Sequence, residues 1–135
     1  MFESNSSKLT WAGRVLSALP VLALSISAAM KLSRSPEVLG AFTEKFGYPA
    51  STLSAIAALE LLVALLYAVP RTAVLGAILM TAYLGGGVAT HVRVSDPFFA
   101  PVVLSVLSWL GLYLRDARLR ALVPLRKAAE IRERV

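Results

Sequence analysis

The chain has 135 residues, 57% of them apolar and 16% charged, with a net charge of +6 and a mean hydropathy of +0.70. Water-soluble globular chains carry about 45–50% apolar and about 25% charged residues, and disordered chains are less apolar still, so the composition excludes both classes in favour of a bilayer protein. At about 20 residues per helical crossing, this length holds four spans with short connections and no separate soluble catalytic domain.

A polar Ser/Asn-rich leader precedes the first apolar block, which runs over about 11–30 and ends at Lys31. Lys8 and Arg14 ahead of an apolar stretch closing with Ser25-Ile26-Ser27-Ala28-Ala29 also resemble a cleavable signal peptide, but Pro20 interrupts the apolar run. An uncleaved first span is the better reading. The segment from Lys31 to Tyr48 is too polar to cross a membrane. Within it Pro36 can open a short helix, Glu37 suits the first turn, Lys45 the last, and Gly47 its end. Val38, Leu39, Phe42 and Phe46 share one face of that helix, which lies either in the bilayer interface or simply connects two spans.

The second block, about 51–69, runs into Pro70-Arg71-Thr72, so little chain that it must form a tight antiparallel hairpin with the third, about 73–91. Asp96-Pro97 offers an N-cap carboxylate and a proline for the first helical position, so the fourth block, about 98–114, is expected to start its helix there. At 1.5 Å per residue, blocks of this length cover about 25–30 Å, the thickness of a hydrocarbon core. Beyond Leu114 come Arg115, Arg118, Arg120, Arg126, Lys127, Arg132 and Arg134. Leu119, Leu122 and Val123 share a face among these charges, which suits a segment lying on anionic lipid. The expected fold class is all-α: a four-transmembrane-helix bundle forming a single domain over 1–122, with a short interfacial helix between the first two spans. A basic amphipathic segment and a basic tail, 123–135, close the chain.

Ten Lys and Arg fall on the side of the chain termini and four on the other, which places both termini in the cytoplasm by the positive-inside rule. The charges sit at the edges of apolar blocks, so their expected partner is the lipid bilayer and not nucleic acid. With no Cys and one His, a single chain offers no disulfide, thiol redox pair, iron-sulfur cluster, haem-ligating His pair or multi-His metal site.

Glu60 is the only formal charge deep within any apolar block. A carboxylate there costs at least about 2.5 kcal/mol on insertion scales and normally faces a bundle interior. Ala57 and Ala64 beside it allow another helix to approach. His91 closes the third block and Lys31 the first, both at the end where the second begins. Lys31 either snorkels to headgroups or binds an anionic group, and His91 is either an interfacial anchor or a proton relay. Glu60 lies two to three turns deeper than His91, and Thr81 and Tyr83 can supply bridging hydroxyls between them. In the third block Ala77, Thr81, Gly85 and Ala89 form a row of small residues expected to mediate close helix packing, or, in a locally opened helix, to expose carbonyls to a cavity.

Lys31, Pro36, Phe42, Phe46-Gly47-Tyr48-Pro49, Glu60-Leu61-Leu62 and Thr90-His91, in this order and spacing, resemble the DoxX-like family of small bacterial four-span membrane proteins over about Trp11 to Leu122. The resemblance implies a four-helix bundle in the bacterial inner membrane. The family takes its name from a subunit of an archaeal quinol-oxidising or thiosulfate:quinone oxidoreductase complex, and other relatives are associated with oxidant and thiol stress. It therefore also implies a quinone-like or other hydrophobic small-molecule ligand and a redox-accessory role, although this chain has no cysteine for direct sulfur chemistry. The leading expectation is a polar pocket around Glu60 that opens near His91 and Lys31. One alternative is a membrane-embedded isomerase or oxidoreductase with Glu60 as acid or base. Another is a structural subunit whose small-residue faces dock a membrane-complex partner or a second copy.

Overall fold

The computed structural model describes residues 2–123; the tail expected beyond Val123 lies outside the described residues. The described elements are all helical: α1 (Phe2–Ser33), α2 (Pro36–Gly40), α3 (Leu53–Ala68), α4 (Ala73–Arg93), α5 (Phe99–Arg115) and α6 (Ala117–Leu122). A π-helical turn, Ala41–Lys45, continues α2, and a 3₁₀ turn, Ala50–Thr52, leads into α3. The segments Ser6–Ser33, Ala50–Ala68 and Ala73–Arg93 are long and apolar enough to cross a membrane, while α5 is a shorter apolar helix. The first helix starts well before the first apolar block and runs unbroken through Pro20.

The four long helices pack in a ring, α1 against α3 and α5, and α4 against the same two. Leu24, Val63, Ala64, Tyr67, Ala77, Met80 and Leu112 fill its centre. Outward, Leu22, Ile26, Leu65, Ile78 and Val106 are exposed, an arrangement that suits a hydrocarbon solvent and not water. Tyr67 is fully buried, and its hydroxyl bridges Ser17 Oγ of α1 at 3.0 Å and the Ser108 carbonyl of α5 at 2.6 Å. Three helices are thereby tied by one polar group that lipid cannot satisfy.

Two expectations about helix boundaries and faces are corrected. The small-residue row of α4 does not form its contact face: Ala77 is buried, but Thr81, Gly85 and Ala89 are exposed. A strict four-residue spacing overshoots a 3.6-residue turn by about 40° each step, so the row winds away from the core, and Ala73, Gly76, Ala77, Met80 and Leu84 face inward instead. The fourth apolar helix starts at Phe99, capped by the backbone of Phe98 without a side-chain hydrogen bond. Asp96 does not cap it, because its carboxylate is taken up by Lys45 and His91.

At that same end α1, the π-helical turn and α4 are stopped by left-handed residues, Arg34 (φ 51°), Gly47 (φ 74°) and Ser95 (φ 56°). The chain therefore turns over the bundle there, and the connector from Pro36 to Pro49 covers the ends of α3 and α4.

Candidate functional site

Glu60, in the middle of α3, is buried, and its partners come from two other helices. Oε1 accepts from Tyr83 of α4 at 2.6 Å, from Ser27 of α1 at 2.9 Å and from Lys31 Nζ at 3.1 Å. Oε2 accepts from Lys31 Nζ, also at 3.1 Å. Lys31 Nζ further donates to Ser27 Oγ at 2.6 Å. Ser27 and Lys31 are one helical turn apart, so both reach the same carboxylate from one face of α1. The side chains of Lys31 and Glu60 are 16% and 4% exposed, and the ion pair with its two hydroxyl donors answers the desolvation problem that a lone carboxylate would pose.

Beside this cluster is a cleft of about 390 Å³, bounded by the connector, α3 and α4. Lys31, Tyr83 and His91 line it together with Phe42, Phe46 and Tyr48 of the connector. Gly86 and Gly87 form the part of its wall contributed by α4 without side-chain bulk. A Cβ built on Gly86 meets nothing within 4 Å. Glu60 is not on the lining; it sits behind Lys31 and Tyr83, whose polar atoms it orients.

His91 is placed apart from Glu60. Its Nδ1 lies 2.6 Å from Asp96 Oδ2, and Lys45 Nζ donates to Asp96 Oδ1 at 2.8 Å. An ionised carboxylate only accepts, so Nδ1 carries the proton in this contact. Phe46 packs edge-on against the imidazole, with centroids 5.2 Å apart. Tyr48 donates to Thr90 Oγ1 at 2.7 Å, since the Thr90 hydroxyl is itself committed to the Gly86 carbonyl. Arg93 donates to the Phe46 carbonyl and stacks over Tyr48. The connector is thus latched to the end of α4 and to Asp96 just beyond it by three hydrogen bonds, with the Phe46–His91 and Arg93–Tyr48 ring contacts beside them.

Of the residues singled out in the sequence, Lys31, Tyr83 and Glu60 meet in one cluster, and His91 shares the cleft wall with the first two. Thr81 lies elsewhere, accepting from Trp109 Nε1 of α5 at 2.6 Å. The sequence reading missed Ser27, whose four-residue spacing from Lys31 was the available signal, and the aromatic wall from the connector. Among the described residues no three His, Cys, Asp or Glu side chains cluster as metal ligands.

The Lys45 ammonium and then the His91 ring hold the Asp96 carboxyl below its ordinary value of 3.8. A carboxyl depressed in this way supports the latch above 3.8 and loses that contribution as pH falls through the folded value. A spin label on Glu44→Cys, in a chain with no other cysteine, is expected to report an ordered connector at neutral pH and a loosened one only below 3.8. Asp96→Asn should loosen it at neutral pH. Equal mobility of the label in both proteins would contradict the latch.

Residues 15–111 match the model of the DoxX-like family. No curated protein and no solved structure matches the chain.

Proposed function

We propose, from the premise that the chain belongs to the DoxX-like family and is a membrane protein, that it binds a quinone-like or other ring-bearing hydrophobic molecule in the cleft beneath the connector. The observation carrying this reading is a cleft of about 390 Å³ that combines four aromatic side chains with a single ammonium group, Lys31. Cavities of this size with mostly apolar walls and few polar groups suit small organic ligands. The equal distances from Lys31 Nζ to both Glu60 oxygens fit one shared hydrogen, and Ser27 takes a second. The third is free to donate to a carbonyl or phenolate oxygen of the ligand, while the flat wall at Gly86 admits a ring.

Glu60 then acts as a positioning residue that holds the Lys31 ammonium and the Tyr83 hydroxyl in place. Direct acid–base catalysis by Glu60 is less well supported, because its carboxylate lies off the cleft wall and already accepts from three side chains. A subunit role that pairs Glu60 with a partner protein loses its motive for the same reason. If the ligand is a quinone, the proposal extends to a redox-accessory role in a membrane complex.

We read α5 as a fourth span, since 17 residues cover about 25 Å and a locally thinned bilayer accommodates the difference. The basic excess beside the chain termini supports a cytoplasmic location for both, with the bundle in a bacterial inner membrane. A C-terminal fluorescent-protein fusion should then be bright and an alkaline phosphatase fusion inactive; the reverse pattern overturns this orientation.

The ligand is tested by titrating the detergent-purified protein with short-chain ubiquinone and menaquinone analogues in a calorimeter. Saturable binding is expected, and Gly86→Leu, which fills the cleft from an unobstructed position, should weaken it by about ten-fold or more without lowering Tm. No saturable binding by the wild type, or unchanged affinity in Gly86→Leu, would sink the reading.

A further inference from the structure

The opposite end of the bundle holds a second cleft, of about 340 Å³, between the N-terminal half of α1, the α3–α4 turn and the α5–α6 junction. Its volume is at the low end of small-ligand cavities, which span about 300–1,000 Å³, and its lining differs in kind from the first cleft. Arg14, Arg115 and Arg118 contribute three cations and Asp116 one anion, with Thr10, Pro70, Ala73, Leu112 and Ala117 between them.

The arginines are not equivalent. Arg118 lies 3.5 Å from the Asp116 carboxylate, so these two charges largely answer each other. Arg14 and Arg115 have no carboxylate partner among the described residues. Arg115 is held in place: Nη2 donates to the Tyr67 carbonyl at 3.3 Å, and its guanidinium stacks over the Tyr67 ring at 5.1 Å. Its Nε is nevertheless buried with no hydrogen-bond partner among the described residues. A guanidinium fixed by these contacts that also lines the cleft is preorganised for an oxyanion, because little side-chain entropy remains to be lost on binding.

The level of the cleft along the bundle identifies the source of that oxyanion. Trp11, 68% exposed, sits one turn from Arg14 on α1, and Trp at the end of an apolar helix marks the headgroup layer. Basic pockets between helices at this depth suit phosphate-bearing headgroups. We propose that this cleft binds the phosphodiester of an anionic phospholipid, with Arg115 as the fixed donor and Arg14 as the mobile second cation.

Native mass spectrometry of the full chain in detergent, titrated with phosphatidylglycerol, phosphatidylcholine or inorganic phosphate, tests this directly. Phosphatidylglycerol is expected to be retained in preference to phosphatidylcholine, and Arg14→Gln, at an exposed position that folding tolerates, should weaken its retention by about five-fold. Asp116→Asn keeps a capping side chain for α6 but removes the competing anion, so it should tighten retention by a similar factor. A merely structural role for these residues would not give opposite signs. Arg34→Gln, exposed at the other end of the molecule and on the wall of neither cleft, should leave retention unchanged. Equal retention of the two lipids, an Arg14→Gln protein indistinguishable from wild type, or an equal loss in Arg34→Gln would overturn the proposal. Occupancy by inorganic phosphate with no preference for phosphatidylglycerol would overturn its assignment to lipid.

Discussion

Lys31→Met is expected to destabilise the protein by about 3–5 kcal/mol, the range found when one member of a buried ion pair is removed and the other is left without a counter-charge. Glu60 is 3% exposed, and without the ammonium only the hydroxyls of Ser27 and Tyr83 remain to it. The double variant Lys31→Met/Glu60→Leu removes both charges and should recover most of the loss, since buried ion pairs replaced by apolar residues of similar volume are often neutral in stability. Denaturant unfolding of the detergent-purified wild type, both single variants (Lys31→Met and Glu60→Leu) and the double variant gives the three stability differences of the cycle. Additive losses, or a single variant as stable as wild type, would mean that the pair is not the cluster's main stabilising contact.

Gly76→Ala should be at least comparably damaging, at about 3 kcal/mol or more, for a steric reason. An added Cβ falls 2.6 Å from Leu66 C and inside contact of Tyr67 N and Cα. All three obstacles are backbone atoms in the last turns of α3, so no rotamer change relieves them, and overpacking that cannot relax exceeds the usual range of about 1–3 kcal/mol. The shift would also move Tyr67 away from Ser17 and Ser108. Gly85→Ala, in the same helix, provides the control: nothing lies within 4 Å of its Cβ, and the gain in helix propensity should stabilise by about 0.5–1 kcal/mol. Thermal unfolding of both proteins is sufficient, and a Gly76→Ala protein as stable as Gly85→Ala would show that the α3–α4 approach is not tight.

These two sites differ in how far they were legible before folding. Glu60 stands out in the sequence because insertion energetics make a lone carboxylate in an apolar block conspicuous. Gly76 does not, since a glycine in a membrane helix is common and its neighbour across the turn depends on the rotation of α4. The small-residue row at Ala77, Thr81, Gly85 and Ala89 was the more visible signal, yet most of it faces outward. Asp96 is a similar case. Asp-Pro ahead of an apolar block fits an N-cap locally, but Lys45 and His91 converge on the carboxylate from elements 51 and 5 residues away, and two charge-assisted contacts outweigh one cap.

The sequence by itself determined the solvent, the helical class and the residue that lipid alone cannot explain, because hydropathy, periodicity and the cost of a charge are properties of short stretches of chain. Only the tertiary structure decided what that residue does. It brought Ser27, Lys31 and Tyr83 onto Glu60, set Glu60 behind the cleft instead of on its wall, and turned His91 toward Asp96. Those outcomes depend on which helix faces meet and at what depth, and that is fixed by backbone approach at positions such as Gly76, between residues far apart in the chain.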